Sequence, residues 1–240
     1  MFGIPYDTVM ISIIVVNWNA YDFLDLLIES VELYTRLPYH LLVVDNSTHK
    51  RPIRAKNTIQ FPMENNIGHG RGLNHGVAKS FELFPDDLFL MFLDVDCHLL
   101  RHGWEGYFLS KMETLDIIGG RGVAAKPIRP ACMFMKKPIG VYDWCDTKAY
   151  GGHRKTPEGY DVAILAYYRM SADKVRIGFL ERKPNRYRTL NGEEWCINGV
   201  PLVYHHWHGS HLRERQEDFP NSDLLADKAS LFSQIPWRTP

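Results

Sequence analysis

At 240 residues the chain is long enough for one large domain, or for a domain with an appended lobe. A hydrophobic content of 45% can fill a core. With 28 basic against 28 acidic residues, no global charge draws the chain to nucleic acid or to an anionic membrane, although a local basic patch is compatible with that balance.

Cys97, Cys132, Cys145 and Cys196 lack Cys-x-x-Cys spacing. They read as reduced, cytosolic thiols rather than a disulfide framework or a zinc site. The first apolar stretch, VMISIIVV at 9–16, is too short to span a membrane and lacks the marks of a signal peptide.

That stretch is apolar and β-branched, which predicts a buried strand ending at Asn17-Trp18-Asn19. Residues 21–34 carry Phe23, Leu24, Leu27, Ile28 and Val31 at helical spacing. Residues 41–44 form a second apolar strand ending in Asp45-Asn46-Ser47, so the three make a βαβ unit with an expected right-handed crossover. A polar loop or short helix follows at 49–58, then a brief strand at 58–61.

The run NIGHGRGLNHG at 66–76 holds four glycines, which permit close backbone approach. Read as a loop leading into a helix at 73–84, it offers amides that can cradle a phosphate; its plainer reading is a turn. No Gly-Lys-Ser/Thr follows, so it is not a P-loop.

LFLMFLDVDCH at 88–98 is a buried strand that stops at Asp94-Val95-Asp96. On a continuing strand Asp94 and Asp96 share one face, a natural oxygen-ligand site for Mg²⁺ or Mn²⁺. In open α/β sheets, ligands bind beyond such strand ends. The plainer reading is two aspartates that cap a turn.

Downstream, the pattern predicts a helix at 103–114, strands at 119–125 and 131–136, an irregular loop at 138–160, a helix at 160–170 and a strand at 175–180. A polar connection at 181–200 precedes a short strand at 201–204. His205, His206, His208 and His211 then cluster within seven residues, which raises the odds of a metal or phosphate contact. Alternation along an extended stretch puts His206 and His208 on one side and His205 on the other. Trp144 and Trp195 fall in the 138–160 and 181–200 connections and read as core or wall residues, with a ring free to stack on a ligand as the alternative. The charged segment from Arg213 reads as a surface helix and a loose end.

In order, IIVVNWNA, LVVDNS, NIGHGRGLNHG and FLDVD resemble the nucleotide-binding half of a glycosyltransferase with the GT-A fold, of the family 2 type. The resemblance is firm over the first half and looser over the second. It implies an α/β fold with a mostly parallel, Rossmann-like central sheet flanked by helices, and an acceptor-side C-terminal half. The expected domain is single, over 1–240: a nucleotide-sugar half at 1–100, an acceptor and catalytic half at 101–212, and a tail at 213–240.

Carried over position by position, Asn17 would lie against the nucleotide base and Asp45 would hydrogen-bond it. Asn66, Gly68, Arg71 and Asn74 match the loop beside the nucleotide and diphosphate. Asp94 would sit near the ribose or the metal. Asp96 would ligate Mn²⁺ or Mg²⁺, with His206 or His208 completing the shell. ACMFMKK would wall the acceptor side. Asp161 would be the catalytic base; Tyr160 stands where the family has an acid, and Glu158 is a near alternative base.

The implied activity is metal-dependent, inverting transfer of one sugar from a UDP-, dTDP- or GDP-type donor to an acceptor hydroxyl. That acceptor is a glycan, a lipid-linked sugar, a protein or another hydroxyl, a modified nucleic-acid base included. The Gln-x-x-Arg-Trp motif of processive synthases is absent from the sequence, as are apolar membrane helices. Both point to non-processive transfer by a cytoplasmic enzyme, free or peripheral at the membrane. Three other readings compete: a sugar-nucleotide-binding module without turnover, a nucleotidyltransferase on a related sheet, and a hydrolase whose histidines hold zinc. The nucleotidyltransferase is disfavoured by NWNAYDF, where such enzymes carry a Gly-rich basic loop.

Overall fold

The computed structural model describes residues 8–121, 128–145, 163–184 and 192–206. Strand β1 (Ile11–Asn17) is buried along its whole length and runs parallel to β2 (Tyr39–Asp45), with helix α1 (Tyr21–Tyr34) between them in the chain. Then come β3 (Thr58–Pro62), α2 (His69–Leu83), β4 (Phe89–Leu93), β5 (Cys97–Leu99) and α3 (Trp104–Met112). Next are β6 (Ile117–Arg121), β7 (Ile128–Lys136), a 3-10 turn (Lys137–Val141) and α4 (Ile164–Ala172). The last described strands are β8 (Ile177–Phe179), β9 (Glu181–Pro184), β10 (Gly192–Ile197) and β11 (Val200–His206).

Seven strands form the main sheet in the order β3-β2-β1-β4-β7-β6-β8. β3, β2, β1 and β4 are mutually parallel; β7 runs against both β4 and β6, while β8 is parallel to β6. Alternation along β1 explains why it reads as one apolar run. Ile11, Ile13 and Val15 pack on one face with Leu24, Leu27 and Val31 of α1, whereas Ile14 and Val16 pack on the other with Leu73 and Val77 of α2.

A second, antiparallel sheet in the order β5-β11-β10-β9 corrects the expectation of a polar connection over 181–200. Its charged residues hide two strands, because Glu193 and Glu194 are buried while their neighbours Trp195, Cys196 and Ile197 join the core. The glycine-rich run is corrected as well. Only Gly68 precedes α2, with φ +83°, and the helix already begins at His69. A Cβ at Gly72 would meet Val16 Cγ1 at 2.8 Å, and one at Gly76 would meet Ile14 Cγ2 at 2.4 Å. These glycines let the helix lie close on β1. Among the described residues no helix is long and apolar enough to cross a membrane.

Candidate active site

Parallel register sets Asn17 beside Asp45 at the carboxyl ends of β1 and β2, and β4 ends next to them. This is where open α/β sheets bind their ligands. Asn17 and Asp45 are both fully buried. Asn17 Nδ2 donates to Asp45 Oδ1 at 3.1 Å and to Ser47 Oγ at 3.0 Å, and Ala20 N donates to Asn17 Oδ1 at 3.2 Å. Asp45 Oδ1 also accepts from Ser47 N at 3.1 Å. Its Oδ2 accepts from Tyr21 Oη at 2.6 Å and from Gln60 Nε2 at 2.7 Å. Burial alone would raise the pKa of this carboxyl, but the Ser47, Tyr21 and Gln60 hydrogen bonds outweigh it and hold the pKa below its ordinary value. A carboxylate offers about four acceptor sites, and here the protein fills them.

The approach to α2 is tied to the same strand ends. Asn66 Oδ1 accepts from Gly68 N at 2.8 Å, and Asn46 Nδ2 donates to Gly68 O at 3.3 Å. Arg71 is exposed on the first turn of α2. Asn74 faces elsewhere: its Nδ2 donates to Asp143 Oδ1 at 2.7 Å and its Oδ1 accepts from Trp144 N at 2.9 Å, pinning the 143–144 segment to the helix. A Cβ at Gly70 would strike Trp144 O at 2.8 Å, so that glycine serves the same contact. Trp144 is buried and donates to Gly140 O, and Trp195 is buried on β10; both belong to the core and neither is placed to stack on an acceptor. The ACMFMKK segment lies inside the main sheet, between β4 and β6.

Asp94 and Asp96 lie in a turn, not on a continuing strand. β4 stops at Leu93, and Cys97 N closes the turn by donating to Asp94 O at 2.9 Å. Asp94 Oδ1 is shut off from solvent and accepts no hydrogen bond, although His69 Nε2 lies 3.2 Å away. His69 is thus a site residue that sequence reasoning missed. Its only signal was its place at the head of the glycine-rich helix.

Of the described residues of the late histidine cluster, it is His205 whose side chain reaches the acidic turn. β11 pairs with β5 so that His205 lies opposite Cys97, and His205 Nε2 comes within 3.6 Å of Asp96 Oδ1. This corrects the expectation for His206. That ring points the other way, with Nε2 3.1 Å from His98 Nδ1 and its face toward Phe23. Burial holds His98 down to about 3 and drives His206 well below the ordinary histidine value, so this pair is neutral. Burial would also keep His205 neutral, but Glu193, Asp96 and Asp94 outweigh it and raise its pKa.

Among the described residues, Asp96, Cys97 and His205 are the group whose ligand atoms gather, all within 4.8 Å of one another. Burial and the two aspartates push the Cys97 thiol far up, and its Sγ–H donates to Ala131 O at 3.2 Å. The available donors are therefore a carboxylate oxygen and an imidazole nitrogen, a set that suits a divalent ion such as Mn²⁺. Asp94 Oδ1, buried without a donor, adds negative potential to the same place. The four cysteines are free, and a zinc cluster of histidines does not form among the described residues. Asp161, its neighbours Glu158 and Tyr160, and His208 lie outside the described residues.

A mostly parallel sheet flanked by helices and backed by a small antiparallel sheet is the GT-A, Rossmann-like fold. The model of the glycosyl transferase family 2 matches residues 12–175, and the chain belongs to that family. Among solved structures it is similar to S. aureus TarS 1–349, with 14% identity and a TM-score of 0.51 over 90% of this chain and 68% of that one. Full S. aureus TarS matches over 94% of this chain with 14% identity and a TM-score of 0.51, the chain spanning 42% of its length. TarS 1–349 in complex with UDP-GlcNAc matches over 54% of this chain and 46% of that one, with 16% identity and a TM-score of 0.41. No curated protein matches.

Proposed function

We propose that this glycosyltransferase moves one sugar from a nucleoside-diphosphate sugar to an acceptor hydroxyl, in a metal-dependent, inverting and non-processive reaction. What supports the reading is one juxtaposition: the Asp94–Asp96 turn beyond β4 lies against His69 at the head of α2 and against His205 of the second sheet. Asp96 and His205 would hold Mn²⁺ or Mg²⁺. Such an ion, when bound, supplies Lewis-acid neutralisation of the charge that grows on a leaving diphosphate. The first turn of α2, at the positive end of the helix dipole and with Arg71 exposed, adds fixed positive potential for a UDP-, dTDP- or GDP-type donor.

In this reading the acceptor oxygen attacks the anomeric carbon as the bond from that carbon to the diphosphate oxygen breaks. The bonding pair leaves with the nucleoside diphosphate, and the hydroxyl proton passes to the Asp161 carboxylate. One displacement inverts the anomeric centre, giving a β-product from an α-linked donor. General-base help of this kind is worth about 10²–10⁴-fold in rate.

A thermal-shift screen of nucleotide sugars with and without Mn²⁺ tests the donor, since a ligand of the folded state raises its melting point. One nucleotide class is expected to stabilise the chain, and only with the ion. No shift with any of the three classes would sink the donor reading. Asp161→Asn is expected to lose transfer and keep the Mn²⁺-dependent shift; release of free nucleoside diphosphate at the wild-type rate would remove Asp161 from its role. A shift without turnover across an acceptor panel would identify a binding module instead.

A further inference from the structure

Three side chains of the second sheet converge behind His205. Glu193 on β10 is its cross-strand neighbour, and Arg182 on β9 stands opposite Trp195. The Glu193 carboxylate is only 4% exposed. Its Oε2 accepts from Nε of the Arg182 guanidinium and lies against its Nη2, while its Oε1 accepts from Trp195 Nε1 at 2.8 Å. The guanidinium pair and the indole N–H hold the carboxylate in place as an anchored anion. From there Oε1 faces His205 Nδ1 across 3.9 Å, and that nitrogen is buried with no hydrogen-bond partner among the described residues. The opposite nitrogen, Nε2, faces Asp96. The imidazole therefore lies between two carboxylates, one clamped by its own sheet and one on the acidic turn.

A neutral imidazole carries one N–H, and an anchored acceptor decides which nitrogen keeps it. With the proton on Nδ1, toward the clamped Glu193 carboxylate, the Nε2 lone pair is directed at the Asp96 side. We propose that Glu193, held by Arg182 and Trp195, is the positioning residue of the ion site: it fixes the tautomer and ring angle of His205, so that Nε2 is presented to a divalent ion shared with Asp96. This rests on the metal reading above. Glu193 itself acts only through the histidine. The buried Glu193 carboxylate, costly to place in a small sheet, thereby gains a reason beyond stability.

Two readouts on the full chain test this, with Mn²⁺ alone as the probe. Calorimetric titration is expected to show Mn²⁺ affinity falling about 10–100-fold in Glu193→Gln, the range usual for lost outer partners of metal-bound histidines. Imidazole ¹⁵N spectra are expected to show His205 protonated on Nδ1 in the wild type under mildly alkaline conditions, and a mixed or reversed tautomer in Glu193→Gln. A merely structural role would not move that signature. Arg182→Gln, which loosens the clamp and leaves the carboxylate, is expected to shift both readouts in the same direction and serves if Glu193→Gln does not fold. Wild-type affinity and tautomer in a folded Glu193→Gln would overturn the proposal. His205→Ala separates the two ideas: unchanged Mn²⁺ affinity there defeats the metal reading, whereas lost affinity there beside normal affinity in Glu193→Gln defeats only the positioning role.

Discussion

Replacing Asp45 by Asn asks whether that carboxylate reads a nucleotide base or orders the protein. Its four donors are Asn17 Nδ2, Ser47 N, Tyr21 Oη and Gln60 Nε2. An amide accepts on one end only. The backbone N–H of Ser47 cannot turn, and Asn17 is held by Ala20 N, so the amide oxygen must stay at the Oδ1 position. The new NH₂ then faces Tyr21 and Gln60. The tyrosine hydroxyl can rotate, but Gln60 already donates to Arg51 O at 2.9 Å and accepts from Ile53 N at 3.1 Å, so flipping it breaks both. One buried donor is left opposed, at about 1–3 kcal/mol, and the remaining bonds lose their charge assistance. The sum is a destabilisation of about 2–4 kcal/mol, or a fall of roughly 4–16 °C in Tm for a chain of this size. The assay is thermal unfolding without ligand, alongside the donor KM. A variant with wild-type Tm and a large rise in donor KM would refute the reasoning and return Asp45 to the role of base reader.

Gly76→Ala sets a gain against a loss. The helix recovers up to about 1 kcal/mol of propensity, but the methyl would sit 2.4 Å from Ile14 Cγ2 in a fully buried strand, and overpacking of that kind costs about 1–3 kcal/mol. Chemical denaturation is expected to show net destabilisation, and an unchanged or higher midpoint would contradict the close packing of α2 on β1. Asp116 accepts from Lys136 Nζ at 2.7 Å and from Arg176 at three nitrogens, and the Arg176 guanidinium above all holds its carboxyl far below the ordinary range. A depressed folded pKa stabilises above the unfolded value of about 4 and is lost as pH falls below it. The stability gap between wild type and Asp116→Asn is therefore expected to be full near neutrality and to shrink through the acid range in urea titrations; a gap that widens on acidification would reverse the sign.

Much of the frame was legible because burial on both faces leaves an unbroken apolar run. That signal located β1, β2 and β4, and helical spacing placed α1 at 21–34, where the structure has it. It failed where tertiary contact overrides local preference. Three glycines argue against a helix at 69–76 by propensity alone, yet at Gly72 and Gly76 the strand surface beneath demands residues without a Cβ. β9 and β10 were hidden for a related reason. Arg182, Glu193 and Glu194 read as a solvated connection, and nothing in the sequence announces that Glu193 finds Arg182 and Trp195 inside a sheet.

The choice of histidine turned on a different kind of information. Alternation correctly separates His205 from His206, because neighbours on a strand face opposite ways. It is silent on which side meets the acidic turn. That is settled by β11 pairing with β5, a three-residue strand formed directly after the turn by the same residues that follow the aspartates. The pairing sets His205 opposite Cys97 and lets His206 N donate to Asp96 O at 2.9 Å, so the backbone of one histidine fixes the turn while the side chain of the other faces its carboxylate. A one-residue slip of β11 would exchange the two rings and bring the neutral, aromatic-packed His206 to Asp96. The register of this short antiparallel pair therefore decides the chemistry at the end of the main sheet. The buried apolar positions Leu99, Leu202 and Val203 are what hold it.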